Sequence, residues 1–366
     1  MSTYFSATEL LSPPTERAAF SDRQAYVCAE LSKLAYFKFE GGHTLDQILK
    51  IAKEIIDDDT RFKILEQQLR NVLTSSPSVA PEAKKAFEEI LNAAYFQLVD
   101  TYSSLGTQAF ICTKTIELAA GGKKTMAFLT FRGTEPKDFR DIKTDIKARL
   151  KGVKLDQETI DFHSGYLDSL EHIRADLVEE LEKTSYDQLF ITGHSLGGAL
   201  AIVFTRLQAA STNGACYTFG APPVGAVEVQ NGLKTPVYEI INEIDIVPRL
   251  PNPWLIGATS LLLKLLRLVL KLFTVTGKLL ASVTWDEKLE EFVEMMTRYR
   301  HPGYISYLVG SGAAARLRYN VSAYDRLGWW LSMIWKKGFT NFKKMGSDHM
   351  IDVYISKLKH HALKRL

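Results

Sequence analysis

The chain has 366 residues, of which 46% are apolar, 11% aromatic and 24% charged; this is ample material for a folded core and excludes disordered, collagen-like and low-complexity classes. Its 45 Lys+Arg against 42 Asp+Glu leave a formal charge of +3, too small to mark a nucleic-acid-binding protein, so no nucleic-acid partner is expected. Three cysteines, Cys28, Cys112 and Cys216, cannot build a disulfide framework and suit a reducing compartment.

The first residues, MSTYFSATELLSPPTER, contain neither a basic n-region nor an apolar run of signal-peptide length. No cleavable secretory signal is expected; the expected address is cytoplasmic, or external by a non-classical route, with membrane association left open. Ser21 with Gln24 and Thr44 with Gln47 fit capping boxes ahead of helical periodicity, and Pro81 suits the first turn of a further helix running to about Phe96. Residues 1–100 thus read as a helical N-terminal section packed on the core.

From Gln108 the pattern changes. QAFICTKT and TMAFLTF are short β-rich runs separated by Gly121-Gly122. Ser164 to Leu181 reads as helix, LFIT (189–192) as strand, Leu196 to Ala209 as helix, and CYTF (216–219) and VYEIIN (237–242) as strands. Strand alternating with helix implies the α/β class: a mostly parallel central sheet flanked by helices. The sequence divides into this core, 101–251 with 299–366, and an inserted segment at 252–298. An aromatic patch, GWWLSMIW (328–335), and a basic tail ending HHALKRL follow.

The sharpest motif is Gly193-His194-Ser195-Leu196-Gly197, set between the LFIT strand and the helix that follows. A G-x-S-x-G string in that setting is a nucleophile elbow. Side chains two before and two after the serine would obstruct the turn and the approach of helix to strand. The turn lifts the Ser195 hydroxyl above the sheet and aims the Leu196 N–H, at the positive end of the helix, toward a developing oxyanion. A serine hydroxyl needs a base, and the base an orienting acid. Asp245, just beyond VYEIIN, lies where such an acid belongs, on a loop at the carboxyl end of a parallel strand. The downstream histidines are His301, His349, His360 and His361. The last two, in the basic tail, read as solvated, and spacing does not choose between His301 and His349.

These motifs resemble the class 3 lipase family, the fungal-lipase-like branch of the α/β-hydrolases. The resemblance is carried by FRGTEP (131–136), FHSGY (162–166), ITGHSLGGALA (191–201), YTFGAPPVG (217–225) and NEIDIVPRLP (242–251). Weaker agreement lies in ELSKLAYF (30–37), YRHPGYISYL (299–308) and DHMIDVY (348–354). It implies an α/β-hydrolase fold and hydrolysis of acyl-lipid esters without metal or cofactor. It assigns Ser195 as nucleophile, Asp245 as acid and His349 as base, because the family's base occurs in a late Asp-His segment while His301 matches a structural histidine. Thr134 matches the oxyanion position, to act with the Leu196 N–H. Arg132, His163 and His194 read as buried hydrogen-bonding supports, and Asp141 and Asp145 as local caps or pairs. The charged segment after FRGT departs from the apolar-faced lid of fungal members, and about fifty residues separate VPRLP from YRHPGY where the family has a few.

In the insert, Lys264, Arg267, Lys271 and Lys278 project into a sector about 60° wide if the segment is one helix, opposite Leu, Val and Phe. Three central cations would cost a spanning helix about 2.5–3.5 kcal/mol each, which cancels its aliphatic gain. Lying in a lipid interface, as a lid or membrane-docking element, fits better; burial of the same face on the protein or a second subunit fits equally. The expectation is therefore a serine esterase or triacylglycerol lipase. The alternatives are a phospholipase A1 or galactolipase at membranes, and a membrane-binding protein with a vestigial core.

Overall fold

The computed structural model describes residues 4–11, 19–37, 63, 80–118, 121–133, 149–155, 158–208, 213–250, 294–322, 324–326, 328–329 and 347–365. The Thr44–Gln47 box, Thr134, Asp141, Asp145, the four cations of the insert and residues 330–335 of the aromatic patch lie outside the described residues.

Eight strands form the main sheet: β1 (Gln97–Ser104), β2 (Thr107–Glu117), β3 (Lys123–Phe131), β6 (Gln188–His194), β7 (Ala215–Phe219), β8 (Val237–Asn242), β9 (Tyr304–Val309) and β10 (Arg316–Arg318), in that spatial order. β3, β6, β7, β8 and β9 run parallel, while β1-β2-β3 and β9-β10 pair antiparallel. β4 (Leu150–Leu155) and β5 (Glu158–His163) form a separate antiparallel ribbon.

Every residue of β6 and β7 is buried, as central parallel strands covered on both faces require. The cover comes from helices with opposite allegiances. α1 (Asp22–Leu34) and α5 (Ile351–Leu363) pack with Phe128, Phe190 and Tyr217 on one face; α3 (Ser164–Lys183) and α4 (Leu196–Gln208) pack with Leu129, Ile191 and Cys216 on the other. α2 (Ala80–Ala93) adds Phe87 and Leu91 to the α1 side. The period-2 alternation of these strand side chains is what divides the core into two layers. This is the α/β-hydrolase architecture.

Three local expectations are corrected. The capping box at α1 is half formed: Ser21 Oγ accepts from the Gln24 N–H at 3.3 Å, but the Gln24 amide turns to Cys28 Sγ, and the Ser21 N–H donates to Tyr217 Oη at 3.1 Å. Tertiary contact with β7 displaces the local partner. Sheet begins at Gln97 rather than Gln108, because β1 is a polar edge strand (QLVDTYSS) without an apolar run. The basic tail is α5, and His361 is buried within 3.2 Å of Asp22 rather than solvated, since Tyr354, Leu358, His361 and Ala362 share the face that packs on α1. No helix among the described residues is long and apolar enough to cross a membrane.

Candidate active site

β6 ends at His194, and the chain turns at once into α4 through Ser195, whose φ of +58° lies in the left-handed region that side chains avoid. The flanking glycines show what enforces it. A Cβ on Gly193 would stand 2.3 Å from the Gly197 carbonyl group, and one on Gly197 would stand 2.3 Å from the Phe131 oxygen. Helix, strand and the end of β3 therefore meet at backbone distance, as the motif predicts. Ser195 is held by its own N–H, which donates to the Phe219 oxygen at 2.9 Å. Leu196 opens α4, so its N–H belongs to the first turn, where backbone donors lack intrahelical acceptors. Gly133, the residue before Thr134, lies against the same turn: a Cβ there would be 3.3 Å from Ser195 Cβ.

Asp245 follows β8 and is fully buried. Its Oδ1 accepts from the Val247 N–H at 2.9 Å; its Oδ2 accepts from His349 Nδ1 at 2.7 Å and from the Tyr354 hydroxyl at 2.5 Å. Arg249 Nε donates to the Asp245 main-chain oxygen at 3.0 Å, and its Nη2 donates to that of Glu243. The acid is thus oriented through both oxygens and its backbone. Burial pushes the Tyr354 phenol well above the ordinary range, with the Asp245 charge adding to it, so Tyr354 keeps its proton and donates.

His349 closes the short 3-10 turn Ser347–His349 just before α5 and is 1% exposed. The ring of His194 reaches it from β6: His194 Nε2 lies 2.6 Å from the His349 main-chain oxygen and Nδ1 lies 2.8 Å from Tyr36 Oη. A carbonyl only accepts, so Nε2 carries the proton and Nδ1 accepts from the tyrosine. Burial, together with the neighbouring His349, holds the His194 pKa well below the histidine range, so it stays neutral. Gly220, at φ +60°, leaves room for this cluster; a Cβ there would press on Asp245 Oδ2 (2.8 Å), Tyr354 Oη (2.9 Å) and His349 Cε1 (3.0 Å).

The other histidines separate cleanly. His301 Nδ1 lies 2.6 Å from Glu239 Oε2, and its Nε2 lies 2.6 Å from the Pro248 oxygen. Both partners are acceptors, so both nitrogens donate. Burial opposes that charge, but the Glu239 carboxylate and the two hydrogen bonds outweigh it and raise the His301 pKa. His163 Nδ1 accepts from the Gly165 N–H at 3.1 Å and caps α3; burial lowers its pKa to about 4. Arg132 donates to Gln108 Oε1. Of the residues singled out in sequence, Asp245 and His349 are in contact, the side chain of His194, the residue before Ser195, bonds the His349 main-chain oxygen, and His301 pairs elsewhere. Tyr36, Gly220 and Tyr354 escaped sequence reading; Tyr36 and Tyr354 sit in ELSKLAYF and DHMIDVY, segments too weakly matched to assign them work.

Chemically, an imidazole whose Nδ1–H is held by a carboxylate keeps a basic Nε2 and can carry a proton. Ser195 and His349 are only 2% and 1% exposed.

The family described as Lipase (class 3) matches residues 128–254. Triacylglycerol lipase OBL1 of Arabidopsis thaliana is 27% identical over 42% of this chain and 38% of its own, and the lipase of Rhizomucor miehei is 28% identical over 42% and 44%. This chain therefore spans less than half the length of either relative. A solved structure, the native Rhizomucor miehei lipase propeptide complex, covers 44% of this chain and 54% of its own at 26% identity, with a TM-score of 0.36. The G-x-S-x-G elbow and the β8 acid loop both fall within residues 128–254, the stretch of this chain that matches the class 3 lipase family.

Proposed function

We propose that this protein is a serine hydrolase that cleaves the carboxylic esters of acyl lipids. The observation that carries the reading is the Asp245–His349 pair, whose histidine is bound through its main-chain oxygen to the side chain next to Ser195. Asp245 and His349 are buried side chains from distant parts of the chain, and Ser195 sits in a strained turn at the carboxyl end of a parallel strand; acyl transfer is the chemistry that uses these three residue types together. The likeness to a triacylglycerol lipase and a lipase favours lipid esters as substrates.

In this reading His349 Nε2 takes the Ser195 proton as Oγ attacks the ester carbonyl, and Asp245 steadies the imidazolium. The N–H groups of Leu196 and Thr134 hold the oxyanion. His349 then protonates the departing alcohol, leaving an acyl-serine; water, deprotonated by His349, releases the fatty acid and restores Ser195. No metal or organic cofactor enters. The cations of the insert, Lys264, Arg267, Lys271 and Lys278, dock the protein peripherally on lipid.

The test is a panel of emulsified triacylglycerol, phospholipid vesicles, galactolipid vesicles and a short soluble ester, with fluorophosphonate labelling, run beside Ser195→Ala. The reading expects labelling and hydrolysis that vanish in Ser195→Ala; retained hydrolysis would overturn it. The ratio between triacylglycerol and polar lipids separates a lipase from a phospholipase or galactolipase. Deletion of 256–282 should abolish flotation with anionic vesicles and activity on them while sparing the soluble ester; equal loss on both would reject the docking role.

A further inference from the structure

Asn242, the last residue of β8, makes three separate contacts, two of them from its side-chain amide. The Asn242 main-chain N–H donates to Tyr354 Oη at 3.0 Å; its Nδ2 donates to the Asp348 main-chain oxygen at 2.8 Å; its Oδ1 accepts from Lys357 Nζ at 2.7 Å. Asn242 and Lys357 are both buried, and the same ammonium stands 3.4 Å from Glu243 Oε1. Lys357 follows Tyr354 by three residues, so the two share a face of α5.

An asparagine amide fits its cavity in two orientations that exchange donor and acceptor. An ammonium offers only donors, so Lys357 accepts only the orientation with Oδ1 toward it. That turns Nδ2, a donor, onto the Asp348 carbonyl. The next carbonyl, that of His349, is already taken by His194. Two consecutive carbonyls of the turn that carries the imidazole are therefore gripped by donors from the ends of β6 and β8. A methionine at 357 would fill similar space without desolvating an ammonium, and the position holds lysine instead.

We infer that Asn242 and Lys357 are positioning residues that fix the His349 imidazole against Asp245, Lys357 acting through the Asn242 amide; the kinetic part of this inference rests on the hydrolase reading above. Neither residue touches the reacting atoms. Their effect falls on the turnover step, which depends on imidazole placement, more than on substrate affinity.

The test compares Lys357→Met, Lys357→Arg and Asn242→Asp with wild type, with Lys359→Met as a control on the same helix and Ser195→Ala as a control on the hydrolase reading. The substrate is a short soluble p-nitrophenyl ester, and the low-field proton NMR signal of His349 Nδ1–H reads the His349–Asp245 hydrogen bond directly. Lys357→Met should lower kcat about tenfold with KM within about twofold, and weaken the low-field signal. Lys357→Arg should restore most of kcat, and Asn242→Asp, unable to donate to Asp348, should lose at least as much as Lys357→Met. Lys359→Met should behave as wild type. A Lys357→Met variant with kcat within about twofold of wild type and an intact low-field signal overturns the inference. If Ser195→Ala still hydrolyses, the hydrolase reading fails instead; the NMR signal then decides the inference alone, surviving in Lys357→Met if it is wrong and fading if it is right.

Discussion

His194 donates from Nε2 to the main-chain oxygen of His349, 2.6 Å away. Replacing His194 with Phe leaves that buried oxygen without its donor, at a cost of about 1–3 kcal/mol, whereas Tyr36→Phe removes only the bond behind it, worth about 1 kcal/mol. Urea unfolding should rank the two in that order, and His194→Phe should lose more ester hydrolysis.

Backbone proximity makes a second contrast. Gly197→Ala has no room, because its Cβ would meet the Phe131 oxygen at 2.3 Å; the expected loss is on the order of 3 kcal/mol or a failure to fold. Gly106→Ala, at φ +84° with nothing within 4 Å, pays only backbone strain of about 1–2 kcal/mol. Soluble yield and melting temperature distinguish them.

Tyr354→Phe removes the hydroxyl that donates to Asp245 Oδ2 and accepts from the Asn242 N–H. About 1–3 kcal/mol of stability should go with it, and turnover should fall with KM little changed, because the carboxylate keeps its His349 and Val247 bonds but loses one constraint. Steady-state kinetics on a soluble ester beside urea unfolding checks both parts.

Acid should destabilise the fold through His163. Its folded pKa of about 4 lies below the ordinary 6.5, so the unfolded chain takes up the proton first and stability declines as pH falls from about 6.5 to about 4. The full effect is about 3 kcal/mol. His163→Asn retains a side-chain acceptor for the α3 cap and should flatten this limb of a plot of unfolding free energy against pH.

His301 acts in the opposite direction. Its folded pKa is raised, so its contribution is fully present below the ordinary histidine pKa and is lost as pH rises through the raised value. The neutral ring has one N–H and cannot serve both Glu239 and Pro248. His301→Gln should remove this alkaline slope; an unchanged slope above the ordinary histidine pKa would show that another group produces it.

Much of this layout is readable without coordinates. The strands around Ser195 are short apolar runs, and VYEIIN corresponds residue for residue to β8. The elements that escaped are those whose stability is not local. β1 is a polar edge strand held by pairing with β2, and the ribbon of β4 and β5 carries Lys151, Gly152 and Lys154, with no alternation to mark it. Gln24 satisfies a capping box in sequence, yet its amide faces Cys28 because β7 supplies Tyr217 to the N–H it would have met.

The tight turn at Ser195, the parallel core and the place of Asp245 on the loop after β8 were determined by sequence alone, because glycine spacing, apolar runs and strand-to-loop order act over neighbouring residues. Which histidine meets that acid was decided only by tertiary structure. His301 and His349 are equivalent by spacing, but Glu239 and the Pro248 oxygen claim both nitrogens of the first, while packing of α5 on α1 delivers the second across 104 residues of chain to Asp245 Oδ2. The grip of His194, Asn242 and Lys357 on its turn arises in the same way, since hydrogen bonds between strand ends and a distant helix exist only once the layers have packed.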